Sequence, residues 1–269
     1  MTEYLLLAAA MLVTGAVGGV LAGLLGIGGG IVVVPVMEAA LTILGFDQEI
    51  RMHVAVATSL ATIVPTSIAS SRAHYKRDSV DVALVKRWAV FVFAGALVGT
   101  TIASQVRSGV LAGVFATVAM LIGIKMILPL GDKALRSKVP SNALMPIIPT
   151  GIGALSSMMG IGGGTFSVMT LTLFGVPIHR AVGTAALFGL AISLPGAIGF
   201  MISGSGDARL PPGSVGYVNL IGLALISPTT VLAAPLGAMI AHGLSRRNLS
   251  ALFGFFLLLI SARMFYQAL

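Results

Sequence analysis

Two glycine-rich runs have the residue types best suited to holding a small anion. Residues 26–30 and residues 160–164 both read Gly-Ile-Gly-Gly-Gly. Without a Cβ atom the backbone turns sharply and approaches a ligand closely. A helix that begins at such a turn presents free N–H groups and its positive dipole end. The alternative is that the glycines only let helices pack closely. The residues expected to contribute to a substrate site are Gly28, Gly29, Gly30, Gly162, Gly163 and Gly164.

Hydroxyl and imidazole side chains that occur in pairs along the chain form a second group of candidates for substrate binding. Thr58 and Thr184 occupy matching positions in two similar stretches, and Ser59 adds a further hydroxyl. Each of these could instead bond back to a helix carbonyl. His53 and His179 also match, and either could coordinate an oxyanion or take up a proton. Each histidine could equally cap a helix end at the membrane interface.

Charged residues inside or beside apolar segments form the third group. Glu38 is the only acidic residue well inside an apolar segment. Intramembrane acids are costly and tend to mark ion or proton pathways, so we interpret Glu38 as a proton-coupling residue, unless it lies near the outer end and reaches water. Arg51 and Arg180 are either basic gates at the two mouths, with Arg180 counted as substrate-binding, or determinants of orientation. Lys125 and Arg263 are expected to snorkel.

The motifs expected of common enzymes and metal sites are absent from the sequence. There is no cysteine, which excludes disulfides and thiolate ligands. Neither His-Glu-x-x-His nor Gly-x-Ser-x-Gly nor a phosphate-binding Gly-Lys-Ser/Thr loop occurs. We therefore expect no metal, no cofactor and no catalytic residue, and the chain is not expected to be an enzyme.

The composition requires that these candidates are positioned by membrane-spanning helices. Of the 269 residues 57% are hydrophobic and only 9% are charged, whereas about 25% of a soluble domain is charged. A helix needs about 20 apolar residues to cross the hydrocarbon core. The net charge of +8 lies in short runs between apolar segments, as in cytoplasmic loops, and not in a nucleic-acid-binding patch. The predicted fold class is an all-α integral membrane protein.

The chain also repeats itself, which predicts two halves. Matching stretches recur in the same order at offsets of 134, 126 and 138 residues. We predict a first transmembrane repeat at 1–130, a basic cytoplasmic linker at 131–144 and a second repeat at 145–269. Each repeat has about five helical segments. They are 4–25, 31–44, 53–70, 88–106 and 110–128, then 146–159, 165–176, 181–203, 215–243 and 249–269.

The segments beside the second glycine run are too short to cross the membrane. We interpret them as half-helices, either a broken pair or a re-entrant hairpin. Either choice gives an odd number of crossings per half, so the repeats are predicted to be inverted. Loops on one side carry 11 basic residues and those on the other carry 3. The positive-inside rule makes the first side cytoplasmic, with both termini outside the bacterial inner membrane.

The sequence resembles the TauE/SafE family of sulfite and organosulfonate exporters. The resemblance rests on the paired glycine runs and on three further motifs: residues 75–81 (Tyr-Lys-Arg-Asp-Ser-Val-Asp), 212–219 (Pro-Gly-Ser-Val-Gly-Tyr-Val-Asn) and 235–238 (Pro-Leu-Gly-Ala). It implies a multi-pass exporter of sulfite, sulfoacetate or a related small sulfur-containing anion.

The leading expectation is secondary active transport, with two inverted halves alternating access to a central anion site. The alternatives are an uptake permease for a small anion and a passive anion channel. The expected partners are the anion, the lipid bilayer and, if transport is coupled, protons; nucleic acid is not expected.

Overall fold

The computed structural model describes residues 2–25, 30–128, 144–242 and 246–268. Across these residues the chain forms ten α-helices and one short β-hairpin, which confirms the all-α prediction. The helices of the first half are α1 (Thr2–Leu25), α2 (Gly30–Ile43), α3 (Gln48–Tyr75), α4 (Val82–Gln105) and α5 (Ser108–Ile127). Those of the second half are α6 (Leu144–Met158), α7 (Gly164–Leu173), α8 (Ile178–Ser203), α9 (Leu220–His242) and α10 (Arg246–Ala268).

Several of the described helices have the length and surface of membrane helices. Four of them, α3, α4, α5 and α8, have 20 to 28 residues and are apolar enough to cross a bilayer. Large apolar side chains face outward, among them Ile43 (85% exposed), Leu232 (77%) and Ile202 (70%). In water such a surface would be unfavourable, but against lipid it carries no penalty.

Helices from the two halves pack in pairs. Helix α1 packs on α9, α4 on α6, α5 on α10 and α3 on α8. By order within each half, α1 corresponds to α6 and α9 corresponds to α4. The α1–α9 pair, which joins one half to the other, therefore has the α6–α4 pair as its counterpart. Small residues bring the backbones together: a Cβ atom on Gly123 would lie 2.9 Å from the carbonyl oxygen of Gly254, and one on Gly254 2.8 Å from that of Gly123.

The prediction of a single helical segment over 215–243 is wrong for residues 215–219. Strand β1 (Ser214–Val215) pairs antiparallel with β2 (Val218–Asn219), and helix α9 begins only at Leu220. The turn between the strands contains Gly216 at φ +53°. The two helices beside the second glycine run are short, as predicted, with 15 residues in α6 and 10 in α7.

Several predictions concern residues outside the described part of the chain. Gly28 and Gly29, in the first glycine run, and most of the predicted linker lie there. Gly30 is described and is the first residue of α2. The inverted orientation of the two halves and the boundaries of the repeats remain predictions.

Candidate functional site

The second glycine run is a tight turn between the half-helices α6 and α7. Gly160 has φ +66°, its N–H donates to the Ser157 carbonyl (3.4 Å), and the Ile161 N–H donates to the Ser156 carbonyl (2.9 Å). This pair of bonds is a Schellman motif, which satisfies the last carbonyls of α6. The C-terminal end of α6 is therefore closed by its own chain.

The N-terminal end of α7, by contrast, has no such hydrogen-bonded closure among the described residues. Its N-cap is Gly163, at φ +69°, which has no side chain to accept a hydrogen bond from the first turn. Within the described residues the N–H groups of Gly164, Thr165 and Phe166 have no acceptor, while the Ser167 N–H donates to the Gly163 carbonyl at 2.8 Å. Free N–H groups at this end carry the positive end of the helix dipole. The first turn of α7 thus has three backbone donors that no described residue uses.

Two buried hydroxyls lie in the first turn of α7. Ser167 is 0% exposed, and its Oγ has no hydrogen-bond partner among the described residues. That Oγ is directed at the turn, 3.6 Å from the position of a Cβ atom on Gly163. Thr165 is 7% exposed and its Oγ1 is also without a partner in the described chain. A buried hydroxyl without a partner is unfavourable by about 1–3 kcal/mol, so a ligand that accepts hydrogen bonds would relieve both.

Thr165 and Ser167 did not stand out in the sequence, where they resemble ordinary helix residues. A signal was nevertheless present. At the repeat offset of 134 the first half has Ile31 and Val33 in these two places. The glycines recur in both halves, but the hydroxyls beside them occur only in the second.

The two glycine runs approach each other where the structure describes them. A Cβ atom on Gly30 would lie 2.7 Å from the Gly160 carbonyl oxygen and 3.1 Å from the Ile161 Cα. Ser59 lies in the same place, and its Oγ donates to the Gly160 carbonyl at 2.8 Å. Ser59, predicted as a ligand, therefore fixes the turn on which the donors of α7 depend.

Thr58 and Thr184 are fully buried, and each accepts a hydrogen bond from the backbone of the other half. The Asn219 N–H donates to Thr58 Oγ1 at 2.9 Å, and the Asp81 N–H donates to Thr184 Oγ1 at 3.0 Å. Both contacts lie at the start of the fourth helix of a half. A structural partner for each hydroxyl is thus established, and their role as ligands stays a prediction.

The two matched histidines have different surroundings. His53 is buried, and its Nε2 lies 3.1 Å from the carbonyl oxygens of both Ala103 and Val106 at the end of α4. His53 thus caps a helix end, one of the two roles considered for it. His179 and Arg180 are exposed in the first turn of α8.

Glu38 is buried and ion-paired. Its Oε2 lies 3.1 Å from Arg263 Nη2 on α10, and its Oε1 accepts a hydrogen bond from Thr42 Oγ1 at 2.8 Å. The Glu38 side chain is 4% exposed and that of Arg263 is 32% exposed. Arg263 was expected to snorkel. In the structure its guanidinium pairs with the Glu38 carboxylate on α2, and the sequence did not reveal this partner.

A separate cavity of about 450 Å³ lies between α3, α8 and α9. Its described lining is apolar except for Ser227, whose Oγ has no partner among the described residues. Apolar walls suit a hydrocarbon better than an anion. None of the predicted site residues lines this cavity, so we do not place the anion there.

A buried turn between two half-helices, inside a helical bundle with an apolar outer surface, fits a multi-pass membrane transporter. A family model described as "Sulfite exporter TauE/SafE" matches residues 11–264. The chain belongs to this family. It is a membrane transporter and not an enzyme.

Curated relatives agree with this class. The chain is 32% identical over 256 residues to a "Probable membrane transporter protein" of Haemophilus influenzae, covering 95% of this chain and 97% of the relative. It is 27% identical to the "Probable membrane transporter protein YunE" of Bacillus subtilis, covering 96% and 97%. No solved structure matches the chain significantly.

Proposed function

We propose that this transporter is a secondary active exporter of a small sulfur-containing anion across a bacterial inner membrane. Sulfite, sulfoacetate and related organosulfonates are the substrates considered. The observation that carries the proposal is the set of donors at the N-terminus of α7 that have no partner among the described residues: three backbone N–H groups and the hydroxyls of Thr165 and Ser167. The family description supports the choice of anion.

The chemistry of the α7 turn fits an –SO₃ group. Such a group has three oxygens that share one delocalised charge, and each oxygen accepts more than one hydrogen bond. The three free N–H groups and a neighbouring hydroxyl can donate to it without a fixed cation nearby. Helix N-termini pointing at anionic groups recur in secondary transporters at discontinuous helices, and α6 and α7 form such a pair.

Alternating access requires two bodies that exchange contacts around a fixed site. The reciprocal pairing of α1 with α9 and of α4 with α6 supports halves related by a two-fold axis. The loop charges support an axis in the membrane plane, with both termini outside. The buried pair of Glu38 and Arg263 joins one helix from each half. We propose that protonation of Glu38 weakens this pair and couples transport to protons.

Uptake and passive conduction remain the competing modes. A channel would conduct the anion down its own gradient and would not respond to a pH gradient. An uptake permease would share the α7 site but concentrate the anion inside. Flux measured in proteoliposomes with and without a pH gradient of each sign separates the three.

The site itself is tested with Ser167→Ala and Thr165→Val in proteoliposomes. Each substitution removes a buried hydroxyl that has no partner in the described parts of the chain, so folding stability should stay the same or rise. Substrate affinity should fall about 10-fold, the equivalent of about 1.4 kcal/mol for one lost hydrogen bond. The matched control is Ser261→Ala on α10, whose buried hydroxyl bonds to the Leu257 carbonyl at 2.7 Å. Unchanged affinity in both site variants would contradict the proposed site.

A further inference from the structure

We infer that the α7 site selects singly charged anions over doubly charged ones that present the same oxygens. The preferred species are then a simple alkyl sulfonate or hydrogensulfite. The disfavoured ones are the sulfite dianion, sulfate and, among the substrates considered above, sulfoacetate, whose carboxylate adds a second charge. This inference rests on the proposed function and adds the charge state of the substrate to it.

The positive charge available at the site is small. The dipole of α7 contributes about half an elementary charge at its N-terminus. Thr165 and Ser167 contribute hydroxyl dipoles and no net charge. The helices packed most closely on α7 are α8 and α6. Helix α6 has no charged residue, and the basic residues of α8 are His179 and Arg180, both exposed in its first turn.

No described lysine or arginine is among the nearest neighbours of Gly162 and Gly163. Among the residues whose side chains the structure describes, no lysine or arginine is buried. Three are half-buried: Arg51 in the first turn of α3, Lys125 in the last turn of α5, and Arg263, whose guanidinium pairs with Glu38. The side chains that approach Gly162 and Gly163 most closely belong to Ile63, Ile192 and Ser167.

The energetic consequence follows from the dependence of solvation on charge. The free energy needed to move an ion from water into a low-dielectric site rises with the square of its charge, and for a single charge it already amounts to several kcal/mol. The attraction to a fixed dipole rises only in proportion to the charge. Donors that balance one charge therefore leave a second charge largely uncompensated. The side chains of Ile63 and Ile192, which lie against Gly162 and Gly163, are apolar and provide no further compensation.

Three probes of similar size test this inference on the full-length protein in lipid nanodiscs. Methanesulfonate is a monoanion and sulfate a dianion on both sides of neutral pH, whereas sulfite changes between the two states near neutrality. We expect methanesulfonate to bind equally at mildly acidic and mildly alkaline pH. Sulfate should bind at least 10-fold more weakly at both, and sulfite should bind more tightly at the lower pH.

The possible outcomes distinguish failure of the charge-state inference from failure of the proposed anion site. Ser167→Ala should weaken methanesulfonate binding, which ties the signal to α7. Sulfate binding as tight as that of methanesulfonate would overturn the inference and leave the anion site intact. Sulfite binding that does not change with pH would also overturn it. Failure of every probe to bind would overturn the proposed function, and the inference with it.

Discussion

Thr58 accepts a hydrogen bond from the backbone N–H of Asn219 at 2.9 Å, and this contact has a counterpart in the other half. Thr184, 126 residues further on, accepts from Asp81, which lies 138 residues before Asn219. Asn219 Oδ1 in turn accepts from the Gly222 N–H (2.7 Å), as Asp81 Oδ1 accepts from that of Leu84 (2.9 Å). Each half thus fixes the start of the other half's fourth helix.

Removing these hydroxyls should destabilise the protein unequally. In Thr58→Val the fully buried Asn219 N–H loses its acceptor, at a cost of about 1–3 kcal/mol. In Thr184→Val the affected Asp81 N–H is only partly buried, and the loss should be smaller. Thermal unfolding in detergent measures both, with Thr58→Ser and Thr184→Ser as controls that retain the hydroxyl. Equal stability of Thr58→Val and Thr58→Ser would show that this hydrogen bond is not needed.

Glu38→Gln should uncouple transport from protons. The amide can still accept from Thr42, but it neither titrates nor neutralises Arg263. Anion flux down its own gradient should persist, while stimulation by a pH gradient should disappear. Because Arg263 is 32% exposed, the loss of stability should be about 1–3 kcal/mol, below the range for fully buried pairs.

The matched control for this prediction is the double variant Glu38→Gln/Arg263→Gln. It removes both charges and should recover part of the stability. A pH gradient that still stimulates flux in Glu38→Gln would assign coupling to another residue.

His53→Phe separates a structural role from a role in binding. The ring keeps its place beside Tyr217, 5.0 Å away between centroids, but the carbonyls of Ala103 and Val106 lose their donor. We expect a loss of about 1–3 kcal/mol in stability and no change in substrate affinity of the folded protein. His179→Ala, at an exposed position, should change stability by less than about 0.5 kcal/mol. Reduced affinity in His53→Phe at normal stability would return His53 to the substrate site.

The orientation in the membrane can be tested with single cysteines, because the chain has none of its own. Tyr75→Cys lies at the exposed end of α3 and Gln105→Cys at the exposed end of α4. An impermeant thiol reagent added outside intact cells should label only Gln105→Cys, and permeabilised cells should label both. Labelling of Tyr75→Cys alone in intact cells would reverse the predicted topology.

A charge cluster on the loop after α8 predicts that pH has a small effect on the stability of the fold. Arg209 donates to Asp207 (2.8 Å) and to Glu49 at the start of α3 (2.9 Å). The hydrogen bonds from Arg209 lower the pKa of Asp207. A lowered folded-state pKa stabilises the fold above the ordinary aspartate pKa, and this stabilisation is lost as pH falls through the folded value.

The thermal midpoint of the wild type should therefore fall more steeply in acid than that of Asp207→Asn. Asp78→Asn, an exposed aspartate on another loop, is the control and should follow the wild type. Parallel curves for the wild type and Asp207→Asn would contradict this effect.

Periodic features of the chain could be predicted from the sequence, and contacts between distant segments could not. Helices α6 and α7 were predicted as half-helices, because length and apolar composition are local properties. The hairpin before α9 was missed although Pro212, Gly213 and Gly216 are turn residues. An apolar run of this kind resembles the start of a membrane helix, and the pairing of Ser214 with Asn219 is visible only in the structure.

The candidate site shows the same difference between local features, which the sequence predicts, and contacts between distant segments, which it does not. The repeated glycines mark the turn, whereas the approach of Gly30 to Gly160 is visible only in the structure. The hydroxyls of Thr165 and Ser167 became candidates only because the structure shows no partner for them among the residues that it describes. Arg263 could not be joined to Glu38, because nothing in the sequence shows which helices touch.

The packing of helices of one half on helices of the other has a consequence for biogenesis. Helix α4 presents Gly95 and Gly99 to α6, and a Cβ atom on either would overlap the α6 backbone. During synthesis α4 enters the bilayer before α6 exists, so its glycine face is exposed to lipid or to an insertion factor until the second half emerges. A ribosome-bound chain that ends after α5 would be a membrane-inserted but incompletely packed intermediate. Such an intermediate is a natural target for membrane quality-control proteases.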